Sequence, residues 1–286
     1  MLSDITLGQF FPGNSPIHKL DPRTKIILAT IYIVAIFLAN NPMSFLFLTL
    51  ITLIIIRVSH VSFSAVLKGI KPIIFILIFT AVINVFFTTG DGEPLFSFWV
   101  LKIYSDGIAR AFFMAFRVVL LIMGTSILLT YTTSPIALTD GIEALLSPLK
   151  YLHVPVHVFA MMMSIALRFI PTLIEETEKI MNAQKSRGAD FETGNIIKRA
   201  KALIPLLIPL FVSSFTRAEE LATAMECRCY RGDKNRTKLV KLEYKLRDGV
   251  AILSLALILS ATICLRILPY RLSLNSSVFD IVFYRL

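Results

Sequence analysis

Charge is what this sequence has least of. Asp, Glu, Lys and Arg make up 17% of its 286 residues, against about 25% in a typical soluble domain, which excludes an ordinary soluble globule. Cysteine is scarce as well. Cys227, Cys229 and Cys264 form no disulfide framework. Cys227-x-Cys229 offers two soft ligands with no second cluster to complete a tetrahedral site, so no metal centre is expected. His153 and His157 stand four apart, but Pro148 and Pro155 interrupt the regular helix that would bring them to one face. The chain has no G-x-x-x-x-G-K-[ST], H-E-x-x-H or G-x-S-x-G, the patterns of phosphate loops, zinc peptidases and serine hydrolases. Its apolar runs hold no Asp or Glu, which argues against a carboxylate proton relay. No small-residue cleavage site follows the first apolar run, near Ile26, so that run is expected to be retained.

What is present is apolar: 56% of the residues are hydrophobic and the mean hydropathy is +0.74. Stretches approaching the length needed to span a bilayer occur at Ile26–Ala39, Met43–Ile56, Ile70–Phe87, Ala109–Tyr131 and Val250–Leu268. Asn40-Asn41-Pro42 marks a tight turn between the first two. The net charge of +10 lies beside these runs, which fits orientation in a membrane rather than nucleic-acid binding. Lys19, Arg23 and Lys25 precede the first run, Arg57, Lys68 and Lys71 follow the second, and a basic stretch from Lys234 to Arg247 precedes the last. The loop from Thr88 to Asp106 instead carries Asp91, Glu93 and Asp106 against Lys102. These charges predict a cytoplasmic N-terminus and an external acidic loop, with the last span running outward; Arg266, Arg271 and Arg285 run against that final assignment. Asp21-Pro22 reads as a helix start with proline at its first position. Asn84 is expected to bond between helices. Arg110 fits a snorkelling or paired role near the end of its span, and Arg117, on the same face, is a candidate functional residue.

The stretch from Thr132 to Asp248 is too charged for simple spans and too apolar for a solvated loop. Two helical patterns run through it, one from Val154 and one from Ala202. Each begins apolar and turns polar, after Pro171 and after Phe211 respectively. Their tails align without a gap: Glu178 with Glu219, Ile180 with Leu221, Ala183 with Ala224, Ser186 with Cys227, and Arg187 with Arg228. Ala183 and Ala224 share a helical face with the arginines and leave it unobstructed. Arg187 reads in one way as a charge complementing the helix dipole, with Gly188 as the left-handed stop. In the other way, two rigid arginine-tipped ends are docking elements, because a guanidinium presents fixed donors to acidic grooves or helix carbonyls.

The leader "GQFFPGNSPIHKLDPRTKI" (Gly8–Ile26) resembles the N-terminal signature of the transmembrane coupling component, or T component, of energy-coupling factor (ECF) transporters. "AQKSRG" and "AMECRCYRG" resemble that family's pair of Ala-Arg-Gly-type motifs, and the order of segments fits over essentially the whole chain. The resemblance implies an all-α polytopic membrane protein with about five transmembrane helices and a cytoplasmic coupling-helix region inserted before the last. Residues 1–131 would form the leader and four-helix membrane domain, 132–247 the coupling helices, and 248–286 the final helix and tail. It further implies a non-enzymatic subunit of the cell membrane that connects two ABC-type ATPases to a small S component binding a vitamin or other micronutrient. ATP and magnesium would be held by those ATPases, with no cofactor in this chain. Arg187 and Arg228 would each insert into an ATPase groove, with Ala183, Ser186, Gly188, Ala224, Cys227 and Cys229 packing around them. Met161, Met162, Met163, Leu206, Leu207 and Leu210 would face the S component, unless the apolar halves are two further spans. Ser186 replaces the usual alanine of the first motif. Cys227 and Cys229 depart from the second, which leaves Gly232 as an alternative, later stop. The cobalt or nickel branch of the family is the nearest rival; a stand-alone carrier or membrane enzyme is the rival from another class.

Overall fold

The computed structural model describes residues 10–87, 96–98, 101–189, 191, 195–232 and 242–267. Asp91 and Glu93, the basic positions Lys234–Lys241, and Arg271 and Arg285 lie outside the described residues. The chain runs α1 (Pro22–Leu38), α2 (Pro42–Ser59), α3 (Phe63–Ile70), a 3₁₀ turn, then α4 (Ile74–Phe87). A short antiparallel hairpin follows, β1 (Phe96–Phe98) with β2 (Leu101–Ile103), in which Ser97 faces Lys102. Then come α5 (Ser105–Thr125), a π-helical turn (Ser126–Tyr131), α6 (Pro135–Leu145), a 3₁₀ turn (Ser147–Leu152), α7 (Val156–Ser186), α8 (Ile196–Cys227) and α9 (Leu246–Ile267). The architecture is therefore that of a polytopic all-α membrane protein carrying one small hairpin.

Six helical segments among the described residues are long and apolar enough to cross a membrane: α2, α3 with α4, α5 with its π turn, α7, α8 and α9. At 17 residues, α1 is shorter, yet it occupies the expected first span. Length and composition thus admit α7 and α8 as spans alongside the expected five.

The described residues divide into two compact units, one holding residues 10–141 with 242–267 and the other residues 142–232. In the first, α1 lies at the centre. Ala29, Ala35 and Ala39 bring its backbone close to its neighbours, and Leu28, Ile36, Phe45, Leu48, Leu120, Leu128 and Leu255 complete the core. Small residues permit such approach where lipid gives helices little hydrophobic reason to associate. Tyr32 is wholly buried, its hydroxyl 2.7 Å from Thr52 Oγ1 and 3.0 Å from the Leu120 carbonyl. Gly124 makes room for its ring: a Cβ there would stand 2.1 Å from a ring carbon.

The leader is tied down by an unusual concentration of polar contacts. Asp21 caps α1 by accepting from the Arg23 amide. Its own amide donates to Asp248 Oδ1 at 2.8 Å, while Asp248 Oδ2 accepts from the Lys245 amide. The buried Lys25 amine donates to the carbonyls of Thr132 and His18 at 2.7 and 3.2 Å. The Phe11 amide donates to the Tyr131 carbonyl at 3.0 Å. Among these acceptors, the Tyr131 and Thr132 carbonyls are available because they lie at the end of the π turn, where the last carbonyls of a helix have no helical partners.

At the other end of α1, Arg117 donates to the Ala39 carbonyl at 2.8 Å and lies over the Phe45 ring. Asn41 does the equivalent for α9, donating to the Leu265 carbonyl. Arg117 is therefore a helix cap of this unit. Asn84, expected to bond between helices, instead donates to the Thr80 carbonyl of its own helix.

In the second unit, His153 adopts the left-handed conformation that ends the 3₁₀ turn. His157 lies inside α7, its Nδ1 2.8 Å from Glu143 Oε1. The two histidines do not share a helix. Pro171 lies inside α7, and Pro205 and Pro209 lie inside α8; each removes one helical N–H donor without ending the helix.

Candidate functional site

Helix α7 ends on Ser186, with Arg187 as its C-cap. The Gly188 amide donates to Lys185 O and the Ala189 amide to Gln184 O, both at 3.0 Å, and Gly188 adopts φ +86°. This 6→1 and 5→2 pair is the Schellman stop. Helix α8 ends the same way. The Cys229 amide donates to Glu226 O at 2.8 Å, the Tyr230 amide to Met225 O at 3.0 Å, and Cys229 adopts φ +58°. The stop follows Arg228 directly, at the position equivalent to Gly188, although cysteine occupies it. Gly232, also left-handed, shapes a later turn and is not the helix stop.

The agreement extends to exposure. Ala183, Ser186, Arg187 and Gly188 are exposed, as are Ala224, Cys227, Arg228 and Cys229. Gln184 and Ala189 are half-buried, as are their equivalents Met225 and Tyr230. Each helix thus closes its terminal carbonyls with its own backbone and holds a guanidinium at a rigid, open tip. Among the described residues, no three His, Cys, Asp or Glu side chains cluster as metal ligands.

The apolar halves are less uniform. Met162, Met163 and Leu207 are exposed, and Met161 and Leu210 are half-buried. Leu206 is only 6% exposed, so it packs within the chain and presents no surface to a partner.

One contact was not read from the sequence. Glu176 on α7 accepts from Arg217 Nη2 at 2.8 Å and from the Ser213 hydroxyl, both on α8. Beside it lies an apolar groove of about 220 Å³ lined by Phe169, Leu173, Ala218, Leu221 and Met225, among others. A signal for this pair was present. Glu176 and Arg217 stand 41 residues apart, the same offset that aligns the two tails.

These features define a class: a multi-pass membrane protein whose two long helices end in matching arginine-tipped stops. The family described as cobalt transport protein, CbiQ, matches residues 13–239. The chain is 54% identical over 267 residues to the energy-coupling factor transporter transmembrane protein EcfT of Clostridium kluyveri, covering 93% of this chain and 98% of that one. It is 56% identical over 248 residues to the protein of the same name from Ruminiclostridium cellulolyticum, covering 87% and 92%. With that of Bacillus subtilis it shares 47% identity over 266 residues, covering 93% and 100%. The chain belongs to the CbiQ/EcfT family, the transmembrane proteins of energy-coupling factor transporters.

Proposed function

We propose that this chain is the non-catalytic coupling subunit of an ECF-type importer. Arg187 and Arg228 each dock into a groove of one cytoplasmic ABC-type ATPase, with Ala183, Ser186, Gly188, Ala224, Cys227 and Cys229 shaping the contact. ATP and magnesium belong to the ATPases. The membrane-facing halves of α7 and α8 meet a small S component that carries a vitamin or other micronutrient, through Met162, Met163 and Leu207 with Met161 and Leu210 at the margin. Methionine suits that surface because its flexible side chain repacks against different partners. In this reading the tips lie on the cytoplasmic side with the N-terminus, which the basic residues flanking the apolar runs support.

The observation that carries this reading is the pair of equivalent, exposed, Schellman-closed arginine tips in a chain of this family. A dipole-complementing cap does not require two copies so closely matched, with small residues one turn back. Co-expression with the ATPases provides the test. Arg187→Glu and Arg228→Glu are each expected to weaken co-purification, and the double change to abolish it together with uptake. Two linked contacts reinforce one another through effective concentration, so each single change costs less than the pair. Unchanged co-purification and uptake in the double variant would sink the assignment.

The family description favours a second reading, in which the transported species is cobalt or nickel. The EcfT relatives match this chain over nearly their whole length, which supports the general energy-coupling reading instead. Identifying the small membrane subunit that co-purifies, and its bound ligand, separates the two.

A further inference from the structure

We infer that Glu176 and Arg217, assisted by Ser213, are positioning residues that fix where α7 and α8 cross and thereby hold the two arginine tips in register. The inference deepens the docking role proposed above and rests on it.

The geometry is specific. Glu176 uses both carboxylate oxygens on α8, one for Arg217 and one for the Ser213 hydroxyl. Ser213 and Arg217 are four residues apart and so lie on one face. Glu176 precedes Arg187 by 11 residues, and Arg217 precedes Arg228 by 11. At about 1.5 Å per residue both arms are about 16 Å long. Eleven residues also bring the chain to within about 20° of three full turns, so each tip lies near the face that carries its clamp residue. The helices therefore meet at equivalent points of a repeated pattern, with equal arms beyond.

The surrounding packing does little to specify that register. The groove beside the clamp, lined by Ala218, Ala222, Phe169 and Leu173 among others, is open at the surface and has a volume of about 220 Å³. Apolar contacts of this kind are non-directional, and a helix shifted by one turn presents a similar surface. Such one-turn shifts are a known mode of helix rearrangement, with a step of about 5.4 Å. The half-buried carboxylate–guanidinium pair, at 22% and 34% side-chain exposure, does distinguish the registers, because a one-turn slip separates its partners. Two tips serving two copies of one ATPase fold need matched reach, and the clamp supplies it.

The test uses the full complex of chain, ATPases and S component in nanodiscs. Spin labels on p-acetylphenylalanine replacing the exposed, equivalent Lys179 and Glu220 report the spacing of the arms and leave the native cysteines alone. The wild-type chain is expected to give one narrow distance distribution. Glu176→Gln and Arg217→Gln broaden it or move it by about one turn, 5.4 Å, and lower uptake several-fold while both ATPases still co-purify. The exchange Glu176→Arg with Arg217→Glu restores both readouts. Distances unchanged in both glutamine variants, or a charge exchange no better than the single changes, would overturn the clamp. Failure of the docking reading shows up separately, as ATPases still bound to the Arg187→Glu/Arg228→Glu chain while the arm distances still respond to Glu176→Gln.

Discussion

Tyr32 illustrates how single residues hold the membrane unit together. Its ring is fully buried and its hydroxyl bridges α2 and α5, an arrangement that depends on Gly124 having no side chain. Gly124→Ala places a methyl group 2.1 Å from the Tyr32 ring, and a ring locked on all sides cannot swing away. We expect a loss of about 1–3 kcal/mol, read as a lower Tm of the purified protein in detergent; Gly249→Ala, in open space, is the control. Tyr32 and Gly124 were not legible as a pair, since nothing in sequence spacing links a tyrosine on one helix to a glycine three spans later. Arg117 was legible as unusual, and its hydrogen-bond partner was not. An arginine in an apolar helix draws a functional reading, yet here it neutralises the carbonyl end of α1 at Ala39.

Among the elements, the span positions were legible because hydrophobic runs are local: α1, α2, α4, α5 and α9 all fall where apolar stretches predict helices. The two arginine-tipped helix ends were legible for another reason, since a repeated chemical pattern survives even where its residues differ. What sequence left open was the stop after Arg228, because Cys229 is a poor left-handed residue. The backbone adopts that conformation anyway, held by the Tyr230 and Cys229 amides. A non-glycine residue in this region costs about 1–2 kcal/mol. Cys229→Gly is therefore expected to slow amide hydrogen exchange across residues 222–230, whereas Gly188→Cys speeds it across residues 181–189. Equal exchange in both variants and the wild type would show that the stops do not depend on the residue at this position. The Glu176–Arg217 contact escaped notice because a gap-free alignment of two segments states likeness and says nothing about where the segments touch.

For the molecule as a whole, the proposed division of labour has a direct consequence. A chain that only couples is inert by itself. Reconstituted alone in liposomes it is expected to move no vitamin, cobalt or nickel above the leak of empty vesicles, and to gain uptake only when the ATPases and the S component are added. Transport by the chain alone would favour a stand-alone carrier. The leader knot adds a constraint of a different sort, on the order of assembly. The Asp21 amide finds its acceptor on Asp248, 227 residues away, so this contact cannot form until nearly the whole described chain has been made. The entrance to the first helix therefore closes in two stages, with Phe11 and Lys25 meeting Tyr131 and Thr132 once α5 is in place and Asp21 meeting Asp248 only when α9 arrives. A chain interrupted between residues 132 and 248 keeps the first stage and lacks the second, so the last described helix supplies the final contact at the start of the first.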